Sequence, residues 1–214
     1  MSSIIRMLCF SLVLFASYHA DAGLRPDDIP EGFKDPLLLE KVMKGEIIIQ
    51  DTISTPTEFR TIGRAFFKKV SPNAYLDLAT NHPKYPDLFE EVKKGETLEI
   101  NSSKTEFKYR LDILIEVGFL SEHVYPEGIQ KLVRAEDAIS ESTVDNEITN
   151  YTQTIKFSRQ HTRLIPYKDG MLVEDDVHFQ LQKDSGLSGI IKQELKKFFT
   201  KYISRFRQEL QGSY

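Results

Sequence analysis

Hydrophobic and polar positions follow two different periods in the chain. Between residues 105 and 119 every second position is apolar: Phe107, Tyr109, Leu111, Ile113 and Ile115. This alternation predicts a long strand with one buried face. Between residues 187 and 210 apolar positions recur every three or four residues: Ile191, Leu195, Phe198, Tyr202 and Phe206. This spacing predicts a long amphipathic helix with a wide apolar stripe.

Shorter runs rich in β-branched and aromatic residues predict the other strands. These strands cover residues 45–54, 59–70, 97–103, 129–135, 147–159, 161–167 and 171–182. The sequence Lys168-Asp169-Gly170 predicts a hairpin turn between the last two. Short helices are predicted over residues 37–43, 72–80 and 87–94. The chain is therefore predicted to be an α+β protein with an antiparallel sheet and one long C-terminal helix.

The two short helices after the second strand have recognisable ends. Ser71 is expected to be the N-cap of the first, with Pro72 at its first position, where the missing backbone donor has no consequence. Pro83 and Pro86 break the segment between the two helices, because each removes a donor and disfavours a helical predecessor. Asp87 is expected to cap the second helix, and Gly95 to end it. The sequence predicts a helix-loop-helix between strands.

The N-terminus has the pattern of a secretory signal. Arg6 precedes an apolar run over residues 7–16, and Ala20-Asp21-Ala22 is an A-x-A cleavage pattern. The run is much shorter than the roughly 20 residues that a membrane-spanning helix needs. We therefore expect residues 1–22 to be a signal peptide, 23–44 an N-terminal arm and 45–214 the folded domain. The expected location is periplasmic or extracellular.

Charge and cysteine content narrow the function further. The formal net charge is −4, from 28 Lys and Arg against 32 Asp and Glu, and this balance argues against a nucleic-acid partner. Cys9 is the single cysteine and lies in the predicted signal peptide, so the mature domain is expected to depend on its hydrophobic core without disulfides.

Catalytic and metal-binding motifs are not evident. We find no nucleophile motif and no glycine-rich phosphate loop, and the four histidines after the predicted signal lack metal-ligand spacing: His82, His123, His161 and His178. We therefore expect no catalytic residue, no cofactor and no metal. The acidic run of residues 174–176 is interpreted as a solvated strand face; paired carboxylates for acid–base chemistry are the alternative.

Two longer motifs resemble a known superfamily. SPNAYLDLATNHPKYPDLFEEV, over residues 71–92, and TRLIPYKDGMLVEDDVHFQL, over residues 162–181, resemble the START-like (SRPBCC) helix-grip superfamily. The resemblance covers residues 59–210 and is closest to its polyketide cyclase and coenzyme-Q-binding branch. The sequence departs from this pattern in its N-terminal signal and in an extra strand over residues 45–54.

The resemblance implies a curved sheet wrapped around the C-terminal helix, with a cavity between them. Tyr85 and Pro86 would then lie at the cavity mouth, although Tyr85 packing on the sheet explains the same sequence. Together with the apolar stripe of the long helix, the resemblance predicts a hydrophobic small-molecule ligand such as a lipid, isoprenoid or polyketide. The candidate ligand-binding residues are Tyr85, Phe89, Tyr109, Leu111, Ile113, Leu164, Phe179, Leu195, Phe199 and Tyr202.

Three functions fit these expectations. The first is an exported binding or carrier protein; the second is a cyclase- or dehydratase-type enzyme that uses the same cavity; the third is an interaction protein whose cavity is filled by its own side chains. The outer face of the long helix carries an excess of cations, which is typical of transient contact with a membrane surface or of a solvated face. The candidates for membrane contact are Lys192, Lys196, Lys201 and Arg205.

Overall fold

An antiparallel sheet dominates the part of the chain that the structure describes. The computed structural model describes residues 29–117, 120–135, 138–150, 155–182 and 188–212. Within these ranges the strands are β1 (Ile48–Ser54), β2 (Glu58–Lys68), β3 (Val92–Ile100), β4 (Glu106–Val117), β5 (Leu120–Val133), β6 (Ser140–Asn150), β7 (Ile155–Tyr167) and β8 (Gly170–Leu181). They form one curved sheet in the order β1-β2-β8-β7-β6-β5-β4-β3.

Helices connect and cover this sheet. The α-helices in the described ranges are α1 (Pro36–Met43), α2 (Pro72–Ala79), α3 (Tyr85–Leu88) and α4 (Ser188–Gln211), and short 3-10 turns span Glu31–Phe33 and His82–Lys84. No helix among the described residues is long and apolar enough to cross a membrane. The predicted α+β class and the long C-terminal helix are confirmed.

The predicted start of α2 is confirmed. Ser71 is its N-cap, and the Ser71 side chain accepts a hydrogen bond from the backbone N–H of Ala74 at 3.2 Å. Pro72 is at the first helical position. The hairpin turn at residues 168–170 is also confirmed, because β7 and β8 pair from Tyr167 and Gly170 onwards.

The prediction of a helix over residues 87–94 was wrong. α3 ends at Leu88, and the chain enters β3 at Val92, so Gly95 lies inside a strand. A Cβ atom at Gly95 would lie 2.0 Å from the carbonyl oxygen of His82. This glycine therefore lets the backbone of the His82 turn pack directly on β3, and it does not end a helix.

The prediction of one strand over residues 147–159 was also wrong. β6 and β7 form a hairpin in which Glu147 pairs with Phe157, and the link at 151–154 lies outside the described residues. The inner faces of these strands carry polar side chains, among them Ser142, Asn146 and Ser158. Because apolar residues do not alternate there, hydrophobic periodicity could not define the ends of β6 and β7.

α4 lies on the concave face of the sheet and approaches it closely at Gly63. A Cβ atom at Gly63 would lie 2.7 Å from Cδ1 of Ile203 and 2.8 Å from the ring of Phe199. The largest cluster of buried apolar side chains, which we call the main core, joins the sheet, α2 and α4. Towards the C-terminal end of α4, Phe206 packs in it with Phe67 and Met171. The absence of a side chain on β2 at this point sets how closely the helix approaches the sheet.

The described part of the predicted N-terminal arm packs on a second core. Phe33 and Val42 are fully buried and cluster with Phe66, Ile165 and Leu172, which belong to β2, β7 and β8. Arg64 lies under this arm, 5.9 Å from the centre of the Phe33 ring. The predicted signal peptide, residues 1–22, lies outside the described residues.

Candidate ligand-binding cavity

A cavity of about 650 Å³ lies between the concave face of the sheet, α3 and the N-terminal half of α4. This volume is within the range of about 300–1,000 Å³ that is typical of small-molecule pockets. The cavity lies near the sheet end where β2 starts and β8 finishes, and it is lined there by Phe59 and Phe179. Several residues of the main core also line the cavity, among them Tyr109, Leu111 and Phe199.

Aromatic side chains from α3, from Phe89 directly after it and from α4 form one wall of the cavity. Phe89 stacks on Tyr202 with ring centres 5.6 Å apart, and it contacts Tyr85 edge-on at 5.8 Å. Phe199 lies beside them on α4 and is buried. Because aromatic pairs in these geometries prefer fixed relative positions, this wall is preorganised.

Polar side chains from β5, β6 and β7 form the opposite wall. We call the following residues the polar wall: Gln130, Ser142, Asn146, Ser158, Gln160 and Thr162. The amide of Gln130 donates to the Ser142 hydroxyl at 2.9 Å, and that of Asn146 donates to the Ser158 hydroxyl at 3.1 Å. These bonds hold the carboxamides in place against the sheet.

Tyr109 and Gly128 position Asn146 within the polar wall. The Tyr109 hydroxyl donates to the side-chain oxygen of Asn146. A Cβ atom at Gly128 would lie 2.2 Å from that oxygen. The glycine on β5 therefore makes room for a hydrogen bond between side chains of β4 and β6.

His82 joins the polar wall to the turn before α3. Its Nδ1 lies 3.0 Å from the Thr97 hydroxyl and its Nε2 lies 3.2 Å from Oε1 of Gln130. Its ring also stacks on Tyr109, with ring centres 4.2 Å apart. Burial lowers the pKa of His82 to about 4, although the bond to Gln130 opposes the shift. His82 is therefore neutral at physiological pH.

The interpretation of residues 174–176 as a solvated face was wrong for Asp175. Asp175 points to the concave side and is fully buried. It accepts hydrogen bonds from Nε2 of Gln160, 2.9 Å from each carboxyl oxygen, and from the Thr162 hydroxyl at 2.9 Å. Burial raises the pKa of Asp175 to about 7. The neighbours face outward, where Glu174 pairs with Arg64 and Asp176 with Arg60.

Most candidate ligand-binding residues line the cavity. These are Tyr85, Phe89, Tyr109, Leu111, Ile113, Phe179, Leu195, Phe199 and Tyr202. Leu164 is not among the lining residues: it is fully buried in the main core, where β7 pairs it with Val173. Ligand contact by the nine lining residues stays a prediction.

Tyr85 is both packed and cavity-lining. Its hydroxyl donates to the carbonyl of Ala79 at 2.7 Å, and its ring also contacts the main-core residue Phe206. Burial raises the pKa of Tyr85 well above its usual value. Tyr85 therefore packs in the core and lines the cavity, and a position of Tyr85 and Pro86 at the cavity mouth stays a prediction.

The four cations proposed for membrane contact have protein partners, and three of them, Lys192, Lys196 and Lys201, also line the cavity. Lys196 pairs with Asp51 on β1 at 2.6 Å, and Lys201 contacts Glu90 and Glu91 at 2.6 Å each. Two further cations on α4 make neutral hydrogen bonds: Lys192 to the Ser54 hydroxyl and Arg205 to the Gln208 side chain. These contacts connect α4 to β1 and to the segment after α3.

Sequence reasoning missed the polar wall and Asp175. Polar residues two apart, as at Ser140 and Ser142, indicate a strand face as well as apolar residues do. Which face was buried could not be read from them, because a polar face is exposed in most sheets. In the described ranges no group of three His, Cys, Asp or Glu side chains could hold a metal ion.

Comparison with known proteins places this geometry in a wider group. No protein family model matches the chain, and no curated protein matches it. Solved structures do match. A STAR-related lipid transfer protein from Xanthomonas axonopodis superposes with a TM-score of 0.58 at 13% identity, covering 77% of this chain and 92% of that chain. The chain has the START-like, helix-grip fold.

Two further structures with this fold match the chain at still lower sequence identity. The Zhui aromatase/cyclase from Streptomyces sp. R1128 matches with a TM-score of 0.59 at 10% identity, covering 72% of this chain and 94% of that chain. Human STARD10 matches with a TM-score of 0.54 at 7% identity, covering 84% and 79%. Identities this low establish the helix-grip fold alone, so function has to be argued from the cavity.

Proposed function

We propose that this protein is an exported carrier that binds a hydrophobic small molecule in the cavity between the sheet and α4. The observation that carries the proposal is the cavity of about 650 Å³ with its aromatic wall. The helix-grip neighbours support a hydrophobic ligand, since one is named a lipid transfer protein and another an aromatase/cyclase. A lipid, isoprenoid or polyketide is the proposed ligand class.

Burial of apolar surface supplies the driving force. A guest that buries about 400 Å² of apolar surface in the cavity gains about 10 kcal/mol of transfer free energy, at roughly 25 cal/mol per Å² removed from water. Loss of translational and rotational freedom offsets part of this gain. An association cost of about 4 kcal/mol, the low end of the usual range, leaves about 6 kcal/mol. This corresponds to a dissociation constant on the order of tens of micromolar.

The two alternatives are weaker on this geometry. A cavity of about 650 Å³ argues against an interaction protein whose interior is filled by its own side chains. The enzyme alternative gains a buried acid, Asp175, whose pKa is raised to about 7 by burial. However, Asp175 is not among the residues that line the cavity, and Gln160 and Thr162 occupy its hydrogen-bonding positions. A carrier needs no such group.

Uptake of a neutral, environment-sensitive dye tests the carrier. The wild-type protein should enhance Nile red fluorescence with saturable, micromolar binding, and native mass spectrometry should detect a co-purified apolar molecule. Phe199→Glu and Leu195→Glu should abolish uptake, because each places a charge in the cavity wall. Thr200→Glu is the matched control, because Thr200 is exposed on the same helix. Absence of both dye binding and co-purified ligand in the wild type would refute the carrier.

Export is the second part of the proposal. It is supported by the apolar run and the A-x-A pattern of residues 1–22. N-terminal sequencing of the protein from its native source should give Gly23 as the first residue. Recovery of the full N-terminus from a cytosolic fraction would refute export.

Transient contact with a membrane is the third part, because a lipid carrier has to load and unload at a bilayer. Ion pairs that are open to solvent contribute little stability. Lys196, which is half-exposed in its pair with Asp51, can therefore exchange this partner for an anionic headgroup. Flotation with anionic liposomes should show binding that weakens with salt. Changing Lys192, Lys196, Lys201 and Arg205 to glutamine should reduce it. Equal binding to neutral liposomes, or no binding to either kind, would refute this contact.

A further inference from the structure

The polar wall has hydrogen-bonding capacity that its own contacts do not use. Each carboxamide has two N–H donors, and Gln130 and Asn146 each donate one of them to a serine hydroxyl. The hydroxyls of Ser142 and Ser158 accept these bonds, and their own protons have no acceptor among the described residues. The polar wall therefore presents free donors to the cavity that it lines.

The described residues of the polar wall are themselves uncharged at neutral pH, and behind them Asp175 bonds to Gln160 and Thr162, with its pKa raised to about 7 by burial. His82 is neutral, since burial lowers its pKa to about 4. The charged groups among the described lining residues belong to α4, to β1, to the last turn of chain before β3 and to the end of β4. Lys196 pairs with Asp51, and Lys201 with Glu91. No described cation lines the polar wall itself.

We infer that the polar wall is a subsite for a neutral oxygen-bearing group of the ligand, such as a hydroxyl, a carbonyl or an ester, and that it selects against a carboxylate. The inference rests on the proposed ligand-binding function and assigns the chemical class of the guest. The aromatic wall opposite takes the apolar part of the guest. Asn146 and Ser158 are the central residues of the subsite.

Desolvation explains the selectivity. A guest that enters the cavity displaces water from the polar wall, and only an oxygen-bearing group replaces the lost hydrogen bonds. A saturated hydrocarbon leaves donors such as the Ser158 hydroxyl unpaired, which is unfavourable in a buried site. A carboxylate satisfies the donors but is buried without a cationic partner, which is more unfavourable still. A neutral polar group avoids both penalties.

Displacement of Nile red by ligands of matched size tests the inference. Decan-1-ol and undecane have the same chain length in heavy atoms and differ in one hydroxyl, and decanoate carries the charged group. At pH 7.5 decan-1-ol should displace the dye at a concentration roughly tenfold lower than decanoate. It should also compete at least as well as undecane, which a wholly apolar cavity would prefer.

Variants of the polar wall identify the subsite. Ser158→Ala and Asn146→Leu should weaken decan-1-ol binding roughly three- to tenfold, the equivalent of one hydrogen bond. Neither should weaken undecane binding, and Ser204→Ala on the exposed face of α4 is the matched control. Circular dichroism establishes that each variant is folded, and the comparison of ligands on the wild-type protein needs no variant.

The outcomes separate this inference from the proposed function. Failure of the wild type to bind Nile red or any of the three ligands would overturn both. Nile red binding with undecane or decanoate preferred over decan-1-ol would overturn the subsite and leave the carrier standing. Equal losses of decan-1-ol and undecane binding in the wall variants would also overturn it, because the effect would then be general and not specific to the oxygen.

Discussion

Replacement of Asp175 by asparagine should stabilise the protein relative to the wild type increasingly as the pH rises from 5 to 8. Asp175 is fully buried, and its hydrogen-bonding partners in the structure are the neutral side chains of Gln160 and Thr162. Burial raises its pKa from 3.8 to about 7, and the neighbouring charge of Asp176 adds to the shift. Below pH 7 the native state therefore holds a proton here. Asparagine has nearly the same shape as that neutral form.

The expected magnitude follows from the shift. A carboxyl whose pKa is raised on folding stabilises the native state at low pH, and this stabilisation is lost as the pH rises through the folded pKa. Each pH unit is worth about 1.4 kcal/mol. Between pH 5 and pH 7, where the folded pKa lies, the free energy of unfolding of the wild type therefore falls by about 3 kcal/mol. Asp175→Asn has no carboxyl here and does not lose this stability. The variant should gain this amount relative to the wild type between pH 5 and pH 8.

Urea unfolding at pH 5 and pH 8 measures the difference directly. His82 contributes the opposite dependence, because its pKa is lowered to about 4 by burial and its protonation destabilises the native state at acidic pH. Since both proteins contain His82, its contribution cancels in the difference between them. Asp176→Asn is the control for loss of a carboxylate, because Asp176 faces outward and pairs with Arg60. The control should not reproduce the gain at pH 8.

One result would refute this reasoning. If Asp175→Asn destabilises the protein by the same amount at both pH values, Asp175 is ionised in the native state throughout this range. The carboxylate would then be stabilised by Gln160 and Thr162 more strongly than burial disfavours it.

The remaining predictions concern close backbone approach. Gly63→Ala should lower the free energy of unfolding by about 1–3 kcal/mol, because the new methyl group would overlap Phe199 and Ile203. An unchanged or higher urea midpoint would contradict the packing of α4. Gly95→Ala should lower the free energy of unfolding by about 3 kcal/mol or more, because the obstructing atom is the backbone oxygen of His82 and cannot rotate away. In the same variant the His82 imidazole should titrate closer to pH 6.5 by NMR, and retention of a pKa near 4 would contradict the assigned contact.

Local sequence determined the elements whose faces are uniformly apolar or whose ends carry strong signals. The apolar alternation from Phe107 to Ile113 predicted β4, and the helical spacing of apolar residues predicted α4 almost to its ends. Ser71 and Pro72 predicted the start of α2 in the same way. These signals act between residues near in sequence, so they are readable without the fold.

The cavity was predictable in outline and not in its chemistry. Apolar residues such as Phe89, Phe179 and Tyr202 were expected to line it because large apolar residues on α4 and the sheet have to face one another. The boundary between filled core and open cavity was not readable, and Leu164 therefore fell on the wrong side of it. Whether a buried side chain packs or lines a space depends on what the other layer places opposite it.

Tertiary structure alone decided the polar features of the interior. Asp175 has the same sequence environment as its acidic neighbours on the other face of β8, and only the pairing of β8 between β2 and β7 turns it inward beneath α4. Gly95 reads locally as a helix end, and only the contact with the His82 turn places it in β3. The physical reason is the same at both sites. Burial, pKa and steric room are properties of atoms brought together from distant parts of the chain, and short-range patterns contain no information about them.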